Sequence, residues 1–495
     1  MEALSYFWDI IPLLFRIDNF LWMLFGVTEG IIVGAIPGLA SVSAIILVLP
    51  MSFALSPDSA LLLLGSAYSG SLYGGSIPAI LINTPGTPPA AATCIDGYPL
   101  AQKGKGAEAL GMSVFASTCG GIFSVLCLMF IGPYIARFAL KFGMAERFAI
   151  AVLGLTLIIS LSTKDILKGL ISGLTGLILG IVGMDPLTAY SRYTFGFQNL
   201  LTGIPLVPAL IGLLALSQAL ILLEENMLFK VKGYNFRIKR WLPSFTIIVK
   251  YYKTLLRSSI IGTIVGAIPG AGGSIAAFIA YDDAKKNAID ANNFGKGALG
   301  GVAAPESANN AVTGGALATM LTLGIPGSNV TAILLGSLMI HGLRPGPQFF
   351  QATPNIAYVF IYGLIVANIM MLMIGFFFAP YFAYGAFIPN QILIPLIATF
   401  SIIGAYAVSN SVFDIRLAFI FGIVGYIMRK AKFSPIPMVL GIVLGPIAER
   451  GFRTALLMSG GNYLVFLTRP ISGVLLILCI ASIFLPIYKQ RKCKK

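Results

Sequence analysis

The chain has 495 residues, of which 57% are hydrophobic and only 10% charged, and its mean hydropathy is +0.90. An ordinary soluble domain carries roughly 25% charged residues, so the composition excludes one and defines an integral membrane protein. Lys and Arg outnumber Asp and Glu by 33 to 18, but no basic domain stands apart from the apolar tracts. Nucleic-acid binding is therefore excluded, and the excess goes to membrane orientation and anionic headgroups.

In chain order, the first twenty residues, MEALSYFWDIIPLLFRIDNF, have no basic n-region and no small-residue cleavage site, and acids at Glu2, Asp9 and Asp18 interrupt them. They are expected to be retained as an interfacial helix. Apolar tracts of about the 20 residues needed to cross a bilayer core then recur near 20–36, 59–82, 110–132, 147–162, 166–184, 204–223, 255–280, 311–340, 356–380, 391–409, 412–428, 436–448 and 470–488. Some are short or broken, so about ten to twelve crossings are expected. Lys230–Arg257 holds eight Lys/Arg and no acid, and the tail KQRKCKK adds five more. The positive-inside rule puts both in the cytoplasm. The expected organisation is a first membrane repeat at 1–223, a basic cytoplasmic linker at 224–256, a second membrane repeat at 257–469, and a last helix with its tail at 470–495. A cytoplasmic linker and tail require an even number of crossings after residue 257. The five cysteines show neither CxxC spacing nor a partnered His, and are expected to be reduced core residues.

The two-repeat reading rests on recurring helix breakers. GIIVGAIPG at Gly30–Gly38 returns as GTIVGAIPG at Gly262–Gly270. YGGSIPAILINTPGT at Tyr73–Thr87 aligns with TGGALATMLTLGIPGS at Thr313–Ser328 once one residue is inserted, and DGYPLA at Asp96 falls opposite HGLRPG at His341. Three elements in the same order argue duplication. A Pro-Gly break frees N–H and C=O groups that lipid cannot satisfy, so such backbone belongs inside protein or beside a water-filled cavity. Paired halves with breaks in corresponding places are the signature of secondary transporters. There, positive half-helix N-termini suit an anion and unwound carbonyls suit a cation.

Small polar side chains cluster at these breaks. Ser41 and Ser43 follow the first GAIPG; Asn83, Thr84 and Thr87 flank Pro85-Gly86; Ser274 follows Pro269-Gly270; Ser328, Asn329 and Thr331 follow Pro326-Gly327. APESANNAVTGG adds Glu306, Ser307, Asn309 and Asn310. Hydroxyl and amide oxygens coordinate sodium and hydrogen-bond a carboxylate without burying a large fixed charge, although a scattered Ser or Thr can also back-bond to its own helix. Ionisable residues within apolar runs are functional candidates by default, and Glu29 and Glu306 are the best placed. Asp185 and Glu449 sit beside Arg192 and Arg450 or Arg453 and fit helix-end ion pairing equally well; the lone His341, at a segment end, fits a structural role better than a proton relay. No HExxH, P-loop, GxSxG or His/Cys metal cluster occurs, so no enzyme activity and no cofactor are expected. Asp282-Asp283 is followed by Lys285 and Lys286 rather than further acids, as on a solvated helix end.

Together, GAIPGLASVSAIILVLP, YGGSIPAILINTPGTPPAAATCIDGYPLAQKGKGAEALG, GMDPLTAYSRYTFGFQNLLTGI, IPGAGGSIAAFIAYDDAKK, FGKGALGGVAAPESANNAVTGGALATMLTLGIPGS and LGPIAERGFRTALLMSGGNYLVFLTRPIS resemble the large membrane subunit of the tripartite tricarboxylate transporters, the TctA family, from about residue 20 to 475. The resemblance implies an all-α polytopic permease of the bacterial inner membrane that takes up citrate or another di- or tricarboxylate by sodium or proton symport. It implies two partners, a periplasmic solute-binding protein and a small four-helix membrane subunit. A similarity to the superfamily containing the large TRAP subunit further implies inverted repeats, re-entrant hairpins and elevator-type movement. On that pattern Pro37, Gly38, Pro85, Gly86, Pro269, Gly270, Pro326 and Gly327 shape the hairpin tips, and Ser307, Asn309, Asn310 and Ser328 are the nearest liganding candidates. Glu29 transfers less well, because the repeat puts Ile261 opposite it. The rival readings are a channel, a stand-alone permease for another small anion, and a membrane enzyme acting on a lipid.

Overall fold

A computed structural model describes residues 6–37, 39, 41–162, 166–185, 187–224, 242–382 and 390–493. Gly38 of the first Pro-Gly pair, most of the basic linker and the last two residues lie outside the described residues. Four helical stretches, Ile17–Gly34, Pro88–Ala139, Leu206–Glu224 and Pro354–Phe382, are each long and apolar enough to cross a bilayer. With the further apolar helices around them they make an all-α, multi-pass membrane protein.

The opening helix α1 (Phe7–Leu14) buries Ile10 and Leu14 and stacks Tyr6 on Tyr358 at 5.0 Å. Helix α2 (Ile17–Gly34) ends before Pro37, and α3 (Ser41–Ser52) leads the chain back. At the start of α4 (Pro57–Gly74), Asp58 accepts from Asn19 at 3.2 Å and Ser59 donates to Asn19 at 2.5 Å. The α2–α3 pair thus leaves and rejoins one end of the bundle. Glycines let α2 lie directly on α4: a Cβ at Gly26, Gly30 or Gly34 would overlap the backbone at Leu63, Ala67 or Ser71 in turn. Both series ascend, so the helices are parallel.

Beyond a kink at Gly75 comes α5 (Ser76–Ile82), which ends on Asn83 in the left-handed region, φ 56°. The chain then turns through Pro85-Gly86 into α6 (Ala91–Leu100) and the 34-residue α7 (Gly106–Ala139). Next are α8 (Met144–Ser162), α9 (Ile166–Gly180), a two-residue antiparallel hairpin of β1 (Gly183–Met184) and β2 (Ser191–Arg192), and α10 (Leu206–Leu210), which passes through wide turns at Ile211–Leu216 into α11 (Ser217–Glu224).

The C-terminal part opens with α12 (Phe245–Ala267), a turn at Pro269-Gly270, α13 (Gly272–Asn287) and α14 (Gly300–Leu323). Arg257 pairs with Asp283 at 2.8 Å, and the Tyr251 hydroxyl donates to Asp290 at 2.9 Å, so α12 and α13 also begin and end together. Gly262 and Gly266 abut Ala308 and Val312, which makes α12 parallel to α14. After Pro326-Gly327 follow α15 (Asn329–Ile340), α16 (Pro347–Ala352), α17 (Pro354–Phe382), α18 (Asn390–Ser409), α19 (Val412–Lys430), α20 (Ile436–Met458), α21 (Val465–Thr468) and α22 (Pro470–Cys493). The apolar tracts at 59–82, 255–280 and 311–340 are therefore each two elements, because Gly and Pro interrupt the hydrogen-bond ladder there.

At the centre α7 packs along α14, flanked by α4, α12 and α17. Outside them α9 and α8 pack on α20, and the Ile211–Leu216 segment and α18 pack on α19.

Candidate functional site

The Pro-Gly turns at Gly86, Gly270 and Gly327 are each built against backbone of their own half. The Gly86 N–H donates to the Gly75 carbonyl at 3.0 Å, and a Cβ on Gly86 would overlap the Gly34 carbonyl. The Gly270 N–H donates to the Gly327 carbonyl at 3.0 Å, and a Cβ on Gly327 would come within 2.9 Å of the Gly266 carbonyl. Only glycine allows backbone to approach backbone this closely, and Gly270 also needs its positive φ of 82°. Proline next to each glycine sets the entry angle and supplies no N–H that would need a partner. Pro37 occupies the turn after α2, and Pro85, Pro269 and Pro326 precede their glycines in the other three.

The turns also reach across the halves. The Tyr68 and Ser328 hydroxyl oxygens lie 3.2 Å apart, joining α4 to the turn before α15. Ser328 caps α15 in a capping box with Thr331. In return the Asn309 amide of α14 donates to the Leu72 carbonyl of α4 at 3.3 Å. The space beside Gly273, at the start of α13, is bounded by Asn309 Oδ1 and by Pro89, just past the first-half turn. Asn309 therefore sits where both halves converge.

Several buried polar atoms here have no partner among the described residues: Ser69 Oγ, Tyr73 OH, Thr87 Oγ1, Asn309 Oδ1, both polar atoms of Asn310, and Thr313 Oγ1. Glu306, Asn309, Asn310 and Thr313 have the i, i+3, i+4, i+7 spacing of one helical face. Buried polar groups are normally satisfied within the protein or by water, so these atoms stand out as candidate liganding groups beside the broken helices. Glu306 is hydrogen-bonded by Ser76, Thr93, Ser113 and Ser117, all buried. Both Glu29 oxygens are buried without a partner among the described residues.

Other candidates are engaged differently. Ser307 meets the Ser259 hydroxyl at 2.9 Å and donates to the Leu255 carbonyl at 3.1 Å, so it works at the α12–α14 contact. Ser41 is buried at the start of α3; Ser43, Thr84, Ser274 and Asn329 are half-buried, and Asn83 is exposed. His341 lies with Nδ1 2.8 Å from the Ser337 carbonyl and Nε2 3.0 Å from that of Ser52, tying α15 to the end of α3. Opposite it, Asp96 accepts from the Tyr281 hydroxyl at 2.8 Å and from the N–H groups of Gly297 and Ala298 at 2.7 and 2.9 Å. Asp185 and Glu449 form an ion-pair cluster with Arg192 and Arg453. The Leu187 N–H and the Arg453 guanidinium hold the Asp185 carboxyl well below the usual carboxylate range. Asp282 and Asp283 pair with Lys286 and Arg257 at the end of α13.

Thr93, Ser113, Ser117, Ser69, Tyr73 and Thr313 were not among the sequence candidates. The available signal was i, i+4 spacing, which joins Ser113 to Ser117, Ser69 to Tyr73 and Thr313 to Asn309. A cavity bounded by Arg147, Ile150, Gly324, Ile325, Gln348 and Leu444 also opens beside the residues leading into the Pro326 turn.

Broken helices that bring buried amides and hydroxyls together inside a multi-pass bundle define a membrane transport protein rather than a soluble enzyme. The chain belongs to the tripartite tricarboxylate transporter TctA family, whose profile matches residues 20–440. It is 35% identical over 479 residues, 96% of this chain and 95% of the relative, to an Agrobacterium vitis protein described as an uncharacterized 52.8 kDa protein in the TAR-I ttuC' 3' region. A second protein of that organism, an uncharacterized protein in the TAR-II ttuC' 3' region, is 33% identical over 234 residues, 47% of this chain and 97% of its own length. No solved structure matches.

Proposed function

We propose that the chain is the permease subunit of a secondary importer that takes up a di- or tricarboxylate such as citrate by cation symport. A periplasmic solute-binding protein delivers the carboxylate, and a small four-helix membrane subunit works beside it in the bacterial inner membrane. The observation that carries this reading is the convergence at Asn309, where α4, the first-half turn and α13 meet around partnerless polar atoms. Helix N-termini and the amides of Asn309 and Asn310 bind the anion; where sodium is the coupling ion, turn carbonyls and the hydroxyls of Thr87 and Thr313 hold it.

Two features support inverted repeats. Gly30 and Gly34 stand to Ala67 and Ser71 as Gly262 and Gly266 stand to Ala308 and Val312. Gly74 abuts Ile31 as Gly315 abuts Thr263, and that pair is separated by as many residues as Gly86 and Gly327, so the two segments align without the inserted residue. The directions are opposed. Starting at the Asp58 end, α4 and its continuation through α6 reach the end where Asp96 meets Gly297. Helix α14 starts from that second end, and α15 finishes where His341 meets Ser52. With the basic linker in the cytoplasm, the Asp96 end is cytoplasmic and the Asp58 end periplasmic. On this reading α14–α15, α17, α18, α19, α20 and α22 cross in turn, an even number after residue 257, as a cytoplasmic tail would require. The central helices then move as one body against a scaffold of α8–α11 and α18–α20.

The test is uptake of labelled citrate and a panel of di- and tricarboxylates into proteoliposomes, with the cognate binding protein and small subunit, under a sodium or a proton gradient. Accumulation that needs both the gradient and the binding protein is expected. Flux at equal rates with and without a gradient, or without the binding protein, contradicts the reading.

A further inference from the structure

Glu306 lies on α14 with no exposed surface, inside a ring of hydroxyls. Ser76 donates to Oε1 at 2.5 Å and Thr93 donates to the same oxygen; Ser117 and Ser113 donate to Oε2 at 2.9 and 3.2 Å. These donors come from α5, α6 and α7. Glu306 forms no ion pair among the described residues. The Tyr73 phenol from α4 and the Cys94 thiol from α6 lie within reach of its charge. Asp96, also on α6, is turned to Tyr281 and the Gly297 and Ala298 N–H groups, and Glu108 on α7 pairs with Lys105 at the surface. From α12 and α13, Arg257, Asp282, Asp283 and Lys286 pair with one another at the end of their helices, and α17 offers only tyrosines. Those four hydroxyls are the hydrogen-bond partners of this acid among the described residues.

A carboxylate taken out of water without a cation is compensated by hydrogen bonds, by a bound cation or by a proton. The geometry decides among these. Four hydroxyls gather around the carboxyl's own oxygens at hydrogen-bonding distances, whereas a metal cation needs oxygen lone pairs turned towards one common centre beside the acid. A proton needs no such space. Each hydroxyl can donate or accept by rotating, so the same ring solvates the carboxylate with four donors and accepts from the protonated acid after one hydroxyl turns.

We propose that Glu306 is the proton-carrying group of this protein and, on the transport reading above, the residue that couples proton to carboxylate. Ser76 and Thr93 flank the Asn83–Thr87 turn. Gaining a proton weakens the hold of α14 on both sides of that turn, and losing it restores four donors. The proton enters from water on one face of the membrane and leaves to water on the other.

The test is a pH titration of the full-length protein in lipid by infrared difference spectroscopy. A protonated-carboxyl band is expected that grows on acidification, disappears in Glu306→Gln, and is unchanged when choline replaces sodium. Thr93→Val and Ser117→Ala keep the acid, alter its hydrogen bonds and shift the frequency of that band, which assigns it even if Glu306→Gln fails to fold. Spectra without such a band, or a sodium-dependent rise in unfolding temperature that the Thr93 and Ser117 variants abolish, overturn the proposal in favour of a cation site. For the coupling role, proton-driven accumulation of the transported carboxylate falls at least tenfold in Glu306→Gln; undiminished accumulation overturns it. The spectra need no substrate, so a band in a protein that carries no carboxylate defeats the transport reading and leaves the proton assignment standing.

Discussion

The hydroxyls of Tyr68 and Ser328 meet at 3.2 Å although 260 positions separate them in the chain. The contact fastens the capped start of α15, in the second half, to α4 of the first. One hydrogen bond of this kind contributes about 0.5–1.5 kcal/mol. Tyr68→Phe and Ser328→Ala are therefore expected to be non-additive in a double-mutant cycle read by chemical unfolding, with a coupling of about that size. Additive effects would mean that the two halves are not joined there.

Helix α7 lies so close to α14 that a Cβ on Gly120 would overlap the Ser307 backbone. Overpacking of this sort costs roughly 1–3 kcal/mol. Gly120→Ala should lower the unfolding temperature and the yield of folded protein, and an unaltered unfolding temperature would show that the two helices separate without cost.

The Asp185 clamp predicts a pH dependence. Because its carboxyl is held below the unfolded value of about 3.9, its stabilisation is complete above that value and is lost as pH falls towards the folded one. Protease cleavage between residues 187 and 205 should be flat from about pH 8 to about pH 5 and rise only in stronger acid. Asp185→Asn should be cleaved faster throughout. A rise beginning near neutrality in the wild type would contradict this account.

The proposed opposed repeats place two exposed positions on opposite faces. In a variant with the native cysteines replaced, Tyr193→Cys should react with a membrane-impermeant thiol reagent from the periplasmic side and Ile289→Cys from the cytoplasmic side. Both side chains are exposed. Labelling of both from one face would invalidate the inverted topology.

Helix breaks were legible because Gly and Pro act locally, and their recurrence marked the turn where Thr87 lies, whereas Asn309 and Asn310 lie within α14. Pairing was not, because it depends on contacts far apart in sequence: the four donors to Glu306 lie 189 to 230 positions away. Arg453 rather than Arg450 reaches Asp185, a choice that spacing alone does not make, because residues three apart share a face of α20. The gapped alignment of Tyr73–Thr87 with Thr313–Ser328 matched letters, whereas the contacts of Gly74 and Gly315 match positions against α2 and α12.

The central claim is that one site uses both halves, and the most direct measurement is gradient-driven carboxylate uptake by Thr87→Val and Asn310→Ala. Each residue is buried with side-chain polar atoms that no other described residue engages, so each variant should keep its wild-type unfolding temperature. Loss of one ligand worth about 1.4 kcal/mol is a tenfold effect, and uptake should fall at least that far in both. A folded variant of either residue that transports at the wild-type rate would contradict the shared site.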